Sequence, residues 1–228
     1  MSRFLISVFD YILPRFCVSC KCLLQADKKI VCGSCFVSIK HADDTLISDG
    51  FKRKFEKEEV VSAFQSLYIF EKDKELQHVI HALKYNKRFL IGVYLGNLMG
   101  KFLDAKIYQW NIDYIIPVPL HKSKMLERGY NQSYFIAKGL SHHLKLPVSS
   151  RIIKRIRYTE TQTTLNKKER EENMKNAFRV ISPKKINGKN ILLIDDVITT
   201  GATVTECGKV LLKKGAAKVF AASAGLVE

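Results

Sequence analysis

The spacing of apolar residues changes several times along this chain, and each change marks an element. Residues 60–70, VVSAFQSLYIF, have the composition of a strand, with Phe64, Tyr68 and Phe70 as bulky packing residues. Next, Leu76, Val79, Ile80 and Leu83 recur at intervals of three and four, which predicts a helix within EKDKELQHVIHALKY, residues 71–85. FLIGVYLGNLMGKFLDA, residues 89–105, predicts a second, more buried helix despite its three glycines. Strand and helix patterns then alternate. IDYIIPVPL (112–120) is a strand, GYNQSYFIAKGLSHHLKL (129–146) a helix and VSSRIIKRI (148–156) a strand. After a charged segment, AFRV (177–180) and NILLIDDV (190–197) are strands. VTECGKVLLKKG (204–215) is a helix with Gly215 at its C-cap, and AKVFAASAG (217–225) is the last strand.

Alternation of this kind indicates an α/β fold, a parallel sheet flanked by helices. Ligands of such sheets bind beyond the carboxyl ends of the strands, which gathers residues 120–129, 157–168 and 195–203. HADDTLISDGFKRKFEKEE, residues 41–59, reads as a polar, partly mobile connection. The expected division is therefore a small module over 1–50 and the sheet domain over 60–228. At the start, Phe4, Leu5, Val8, Phe9, Ile12 and Leu13 fall on one side of a short helix that Pro14 ends, and that helix is expected to dock on the body. Asp10 interrupts its apolar run and no small-residue cleavage site follows, so an export signal is not expected. No run reaches the roughly 18 apolar residues of a membrane span, and a cytoplasmic location is expected.

Composition adds one large fact. Lys and Arg number 38 against 22 Asp and Glu, a formal net charge of +16, which points to anionic partners such as phosphates or nucleic acid. Cysteines add another, because five of the six lie between positions 17 and 35. Cys17 and Cys20, then Cys32 and Cys35, have the spacing at which four thiolates converge on one zinc ion. Four protein ligands leave no open coordination position, so the role expected of the metal is structural. Disulfides would need an oxidising compartment, and a redox pair would not come twice at metal-ligand spacing. Cys22 is a spare thiol able to swap in as a ligand, and Cys207 reads as a small buried apolar residue. His78 and His81 share a helical face, but no third ligand accompanies them.

The chemistry concentrates in ILLIDDVITTGAT, residues 191–203. A buried strand ends in two adjacent carboxylates and passes through hydroxyls and a glycine into a helix. Backbone N–H groups at the positive end of that helix can bind a phosphate monoester. Thr199, Thr200 and Thr203 can add hydroxyl donors, and Gly201 lets the backbone approach closely. Asp195 and Asp196 are acceptors suited to the vicinal hydroxyls of a sugar phosphate. A plain helix cap would account for one of these residues but not for the run. The Walker pattern GxxxxGK[ST] is absent.

ILLIDDVITTGAT resembles the phosphoribosyl diphosphate (PRPP) motif of type I phosphoribosyltransferases. CVSC with CGSC, HALKY, PVPLHKSKMLERGYNQS and TQTTLNKKEREENMKNAF, in that order, resemble the ComF family, which is associated with natural transformation, over nearly the full length. The resemblance implies a type I phosphoribosyltransferase-like parallel sheet with an N-terminal zinc-binding module. It implies that Asp195 and Asp196 bind the ribose 2′- and 3′-hydroxyls and act in catalysis, while Thr199, Thr200, Gly201, Ala202 and Thr203 cradle the 5′-phosphate. His121, Lys122, Lys124 and Arg128 would then hold the diphosphate. Arg155, Arg157, Gln162 and Thr163 would belong to a mobile cover braced by Arg170 and Asn173. Mg²⁺ with nearby Lys and Arg would stabilise diphosphate as it leaves an oxocarbenium-like ribose.

The function this implies is transfer of phosphoribosyl from PRPP to a nitrogen nucleophile, linked to DNA uptake. The alternative is a non-catalytic PRPP-sensing competence factor that binds single-stranded DNA through basic runs such as RIIKRIR (151–157) and KKER (167–170). A third role is docking of the zinc module on a competence helicase or other partner. The sequence shows no general base and no base-recognition segment, and little chain follows SAGL (223–226) for a hood over an acceptor. Oligomeric state is left open.

Overall fold

The computed structural model describes residues 14–25, 30–157 and 176–228. The helix expected before Pro14 lies outside the described residues, as do Gln162, Thr163, Arg170 and Asn173. Helices α1 (Gly33–Ser38) and α2 (Asp44–Lys54) precede β1 (Ala63–Ile69), α3 (Glu75–Tyr85) and α4 (Leu90–Tyr108). β2 (Tyr114–Pro117) leads to α5 (Lys122–Arg128) and α6 (Gln132–Leu144). β3 (Ile153–Arg155), β4 (Phe178–Val180), β5 (Asn190–Ile198), α7 (Ala202–Lys213) and β6 (Lys218–Leu226) complete the order.

Four strands form one parallel sheet in the order β1-β6-β5-β2. The central strands read as continuous apolar runs because both faces of the sheet are covered. Side chains alternate between those faces. Leu192 and Ile194 of β5 face the core built from α3, α4 and α6. Ile191 and Leu193 face the core that holds Val204, Cys207 and Leu211 of α7 with Ile47 of α2. Cys207 is fully buried, as its isolation among apolar residues suggested.

The glycines of α4 have a packing reason. A Cβ on Gly96 would stand 2.0 Å from the carbonyl oxygen of Ile136, and one on Gly139 of α6 would stand 2.2 Å from that of Val93. Each glycine costs helix stability of about 1 kcal/mol relative to alanine, and here it lets two helix backbones touch. That contact fixes α6 against the sheet, and the first turn of α6 carries site residues.

Three sequence expectations need correction. Residues 41–59 are not a mobile connection, because 44–54 form α2. Asp43 caps it by accepting from the Leu46 N–H at 2.8 Å, and Ile47, Gly50 and Phe55 bury their side of the segment. Second, β3 and β4 stay out of the parallel sheet and form a separate antiparallel pair, Ile153 opposite Val180. Their apolar positions pack onto the α7 face of the sheet, which satisfies burial without a fifth parallel strand. Third, Lys214 is the C-cap of α7, and Gly215 follows it at φ +97°.

Cys17, Val18, Leu24, Ile30, Val31, Cys35 and Ile39 belong to the same core as α3 and α4, so the cysteine segment packs directly on the sheet domain. His78 approaches that segment through Ser19, Nδ1 to Oγ at 3.2 Å, and the His81 ring lies 4.7 Å from that of Tyr85. No described helix is long and apolar enough to cross a membrane.

Replacing Gly139 by Leu should lower unfolding free energy by about 2 kcal/mol or more, read from urea midpoints, because the added atoms meet backbone. The exposed Lys101→Ala on the same helix pair should stay within about 0.5 kcal/mol of wild type.

Candidate functional site

β5 carries the two adjacent carboxylates near its carboxyl end, two residues before Ile198 closes the strand, and the fold gives each its own partners. Asp196 is buried, and its Oδ2 lies 2.8 Å from Lys84 Nζ at the end of α3. Its Oδ1 accepts from the Val197 N–H at 2.8 Å. Asp195 Oδ1 accepts from the Ser133 hydroxyl at 3.0 Å and from the Asp196 N–H at 2.9 Å. Ser133 is held there by Asn131, the N-cap of α6. Asn131 Oδ1 accepts from the Ser133 N–H at 3.0 Å, while its Nδ2 donates to the Val118 carbonyl at 2.9 Å, just past β2.

The same corner holds Arg128, the last residue of α5. Its guanidinium donates to Gln132 Oε1 at 3.0 Å and sits 5.3 Å from the centre of the Tyr85 ring. Tyr130 donates its hydroxyl to the Leu83 carbonyl. Lys84, Asp196, Asp195, Ser133, Gln132, Arg128 and Tyr85 thus close a circuit of polar and ring contacts at the carboxyl edge of the sheet. Arg128 Nε and Gln132 Nε2 are buried within it and find no acceptor among the described residues. Burial and the neighbouring Asp196 charge push Asp195 up to about 7 from an ordinary 3.8, against the pull of the Asp196 N–H, Ser133 and Lys84.

Past β5 the chain turns through Thr199 and Thr200 into α7. Gly201 takes φ +82°, which a side chain rarely adopts, and the Phe55 ring lies 2.8 Å from where its Cβ would stand. Thr200 Oγ1 accepts from the Ala202 N–H at 3.4 Å. A cavity of about 250 Å³ adjoins this turn, lined by Lys54, Glu58, Thr200, Ala202, Thr205, Glu206 and Lys209. Sequence reasoning missed Lys54 and Glu58 because it took their segment for a connection.

The residues expected to hold diphosphate separate. Arg128 joins the carboxylate circuit. Lys122 instead lines a different cavity of about 570 Å³ with His121, Met125, Lys154 and Arg155. The reason is local: His121 accepts from the Ser123 N–H and caps α5, so residues 122–128 are helical and point their side chains around its axis. Lys124 is half-buried on that helix, and Arg157 is exposed beyond β3. Neither makes an ion pair with the aspartates. Arg155 lies 5.6 Å from the Phe178 ring centre. Lys84, Ser133 and Gln132 are the additions. HALKY and RGYNQS were legible as motifs, but nothing in the linear order showed that they meet at Asp195 and Asp196.

The sulfur atoms of Cys17, Cys20, Cys22 and Cys32 all lie within 4.8 Å of one another. Cys20 and Cys32 are 3.7 Å apart, and Cys20 and Cys22 are 3.3 Å apart. Tetrahedral zinc with bonds of about 2.3 Å spaces its sulfurs by roughly 3.8 Å, so the cluster fits a metal ion. Cys35, expected as the fourth ligand, is buried against the same group with its thiol in contact with Cys17, Cys20 and Cys32, so Cys22 is a further thiol at the cluster.

The phosphoribosyl transferase domain family matches residues 130–224, which span α6, β5, the Gly201 turn and α7. Over that stretch the chain is similar to phosphoribosyl transferase domains. It is a homologue of competence protein F of Haemophilus influenzae, 37% identical over 148 residues that cover 63% of this chain and 65% of that protein. The DNA utilization protein YhgH of Escherichia coli K12 is 37% identical over 147 residues, covering 63% of this chain and 64% of the relative. Competence protein ComFC of Bacillus subtilis is 33% identical over 116 residues, 50% of this chain and 44% of that one. The match therefore spans just under two thirds of the first two relatives. Lys84 and Arg128 lie before the matched residues.

Asp195 generates a pH prediction. The folded state keeps a proton there that the unfolded chain releases above pH 3.8, so this carboxyl costs stability as pH rises from about 4 to about 7. Asp195→Asn keeps the acceptor oxygen and removes the charge. Thermal denaturation should show the variant gaining on wild type across that window, then holding a constant advantage above about pH 8. A difference independent of pH would contradict the burial of that charge.

Proposed function

We propose that the carboxyl edge of the sheet is a PRPP site and that the chain transfers phosphoribosyl from PRPP to a nitrogen nucleophile in DNA uptake. One observation carries this reading: two adjacent carboxylates lie near the carboxyl end of β5, a few residues before the Gly201 turn that opens a helix. Ribose hydroxyls would donate to Asp195 and Asp196. The 5′-phosphate would take N–H and hydroxyl donors from Thr199 to Thr203 at the positive end of α7. Arg128, paired with Gln132 next to the Ser133 that meets Asp195, offers a guanidinium for a departing diphosphate.

In the transfer, the nitrogen lone pair forms the new bond to C1 as the C1–O bond breaks. Diphosphate leaves with that electron pair, and the nucleophile gives up its proton. The chain's part is to hold the ribose, neutralise the leaving group and keep water away. Mg²⁺ bound with PRPP would add charge neutralisation at the diphosphate, and the hard oxygens of Asp195 and Asp196 are donors of the kind it prefers. Zinc, held by Cys17, Cys20 and Cys32 with Cys22 or Cys35, would fix the N-terminal segment against α3 and α4.

The charge of +16 favours a second reading, in which PRPP is sensed but not consumed and the basic surface binds single-stranded DNA. The printed names of the relatives, competence and DNA utilization proteins, point the same way.

Calorimetry with Mg-PRPP should give binding to wild type and a loss on the order of a hundredfold in the double variant Asp195→Asn, Asp196→Asn, since two charge-assisted contacts disappear. Unchanged affinity would refute the site. Diphosphate release with a panel of bases, ammonia and glutamine tests turnover, and tight binding without release for any acceptor favours sensing. Purified protein should contain about one zinc per chain. Cys32→Ser should lose the metal and melt at a lower temperature, and full zinc retention would overturn the cluster assignment.

A further inference from the structure

Lys84 has a place in the site that the ribose and phosphate roles do not use. It sits one residue from the end of α3, half-buried, with its ammonium on Asp196 Oδ2 at 2.8 Å. That oxygen is the one left for a ligand hydroxyl, because Oδ1 already accepts from the Val197 N–H. The cation thus stands on the acceptor that PRPP would need. An ammonium has three N–H donors, and one acceptor accounts for one of them.

The surroundings on this side are rich in donors. Arg128 Nε and Gln132 Nε2 are enclosed in the same circuit without acceptors. A buried donor left unpaired is costly, so these groups favour a ligand that brings oxygen atoms to them. The cavity beside the Gly201 turn is separate, and its lysines, Lys54 and Lys209, share it with Glu58 and Glu206, both of which pair with Lys209.

We propose that Lys84 is a diphosphate-binding residue: it neutralises Asp196 while the site is empty and turns to the diphosphate, beside Arg128 and Gln132, when ligand arrives. This rests on the PRPP reading above. The exchange leaves both partners satisfied, since the ribose hydroxyl replaces the ammonium on Asp196. It also makes filling of the ribose position and filling of the diphosphate position depend on each other.

The test uses calorimetry on the full chain with three probes: Mg-PRPP, inorganic diphosphate with Mg²⁺, and ribose 5-phosphate. Lys84→Met keeps most of the side-chain volume and removes the charge. It should weaken PRPP and diphosphate by about tenfold or more, the worth of one charge-assisted contact, and leave ribose 5-phosphate within about threefold. Lys84→Arg should recover most of the diphosphate affinity, which also shows that the position tolerates substitution. Equal losses for diphosphate and ribose 5-phosphate would reduce Lys84 to a holder of Asp196 and overturn the proposal, as would unchanged diphosphate binding. Wild-type protein that binds none of the three probes would refute the PRPP reading itself, and this inference with it.

Discussion

Two like charges at neighbouring positions on one strand are the constraint around which this end of the molecule is arranged. Like charges brought together at a partly buried site repel unless cations or hydrogen-bond donors intervene. The fold answers that repulsion asymmetrically. Asp196 receives the Lys84 ammonium, and Asp195 receives a hydroxyl and an N–H and keeps a raised proton affinity. A pair partnered in this way still offers acceptor oxygens to a ligand.

Everything else places those partners. The parallel order puts the end of β5 between the helix that follows β2 and the turn into α7. Gly96 and Gly139 let α4 and α6 meet at backbone distance, and that contact seats the first turn of α6 where Ser133 can reach Asp195. Leu76, Val79, Ile80 and Leu83 bury one side of α3, so Lys84 is turned toward the carboxylates at its end. The cysteine segment shares this core and packs against the far side of α3 through Ser19 and His78.

Most of the sheet was legible because buried parallel strands have a plain apolar signature, and β5, β6 and β1 stand close to where their patterns predict. The helix of residues 44–54 was not legible, since its buried residues are few and its surface is strongly charged; the cap at Asp43 was the available signal. Nor was the separation of β3 and β4, because a three-residue apolar run fits a parallel or an antiparallel partner equally well. At the site, the chemistry of Asp195, Asp196 and the Gly201 turn was readable from local order alone. Lys84 was not, because its partner is more than a hundred residues away and only the fold joins them. Among the cysteines, spacing nominates Cys35 and leaves Cys22 as a spare thiol able to swap in, and the local chain path brings Cys22 within reach of Cys17, Cys20 and Cys32.

The most direct test of this account is a crystal structure of the full chain with Mg-PRPP, read for the atoms within hydrogen-bond distance of the ligand. The account predicts ribose hydroxyls on the carboxylates of Asp195 and Asp196, the 5′-phosphate on the Thr199–Thr203 backbone, and Lys84 moved from Asp196 to the diphosphate. PRPP bound elsewhere, for instance among His121, Lys122 and Lys154 with the Lys84–Asp196 pair intact, would contradict it.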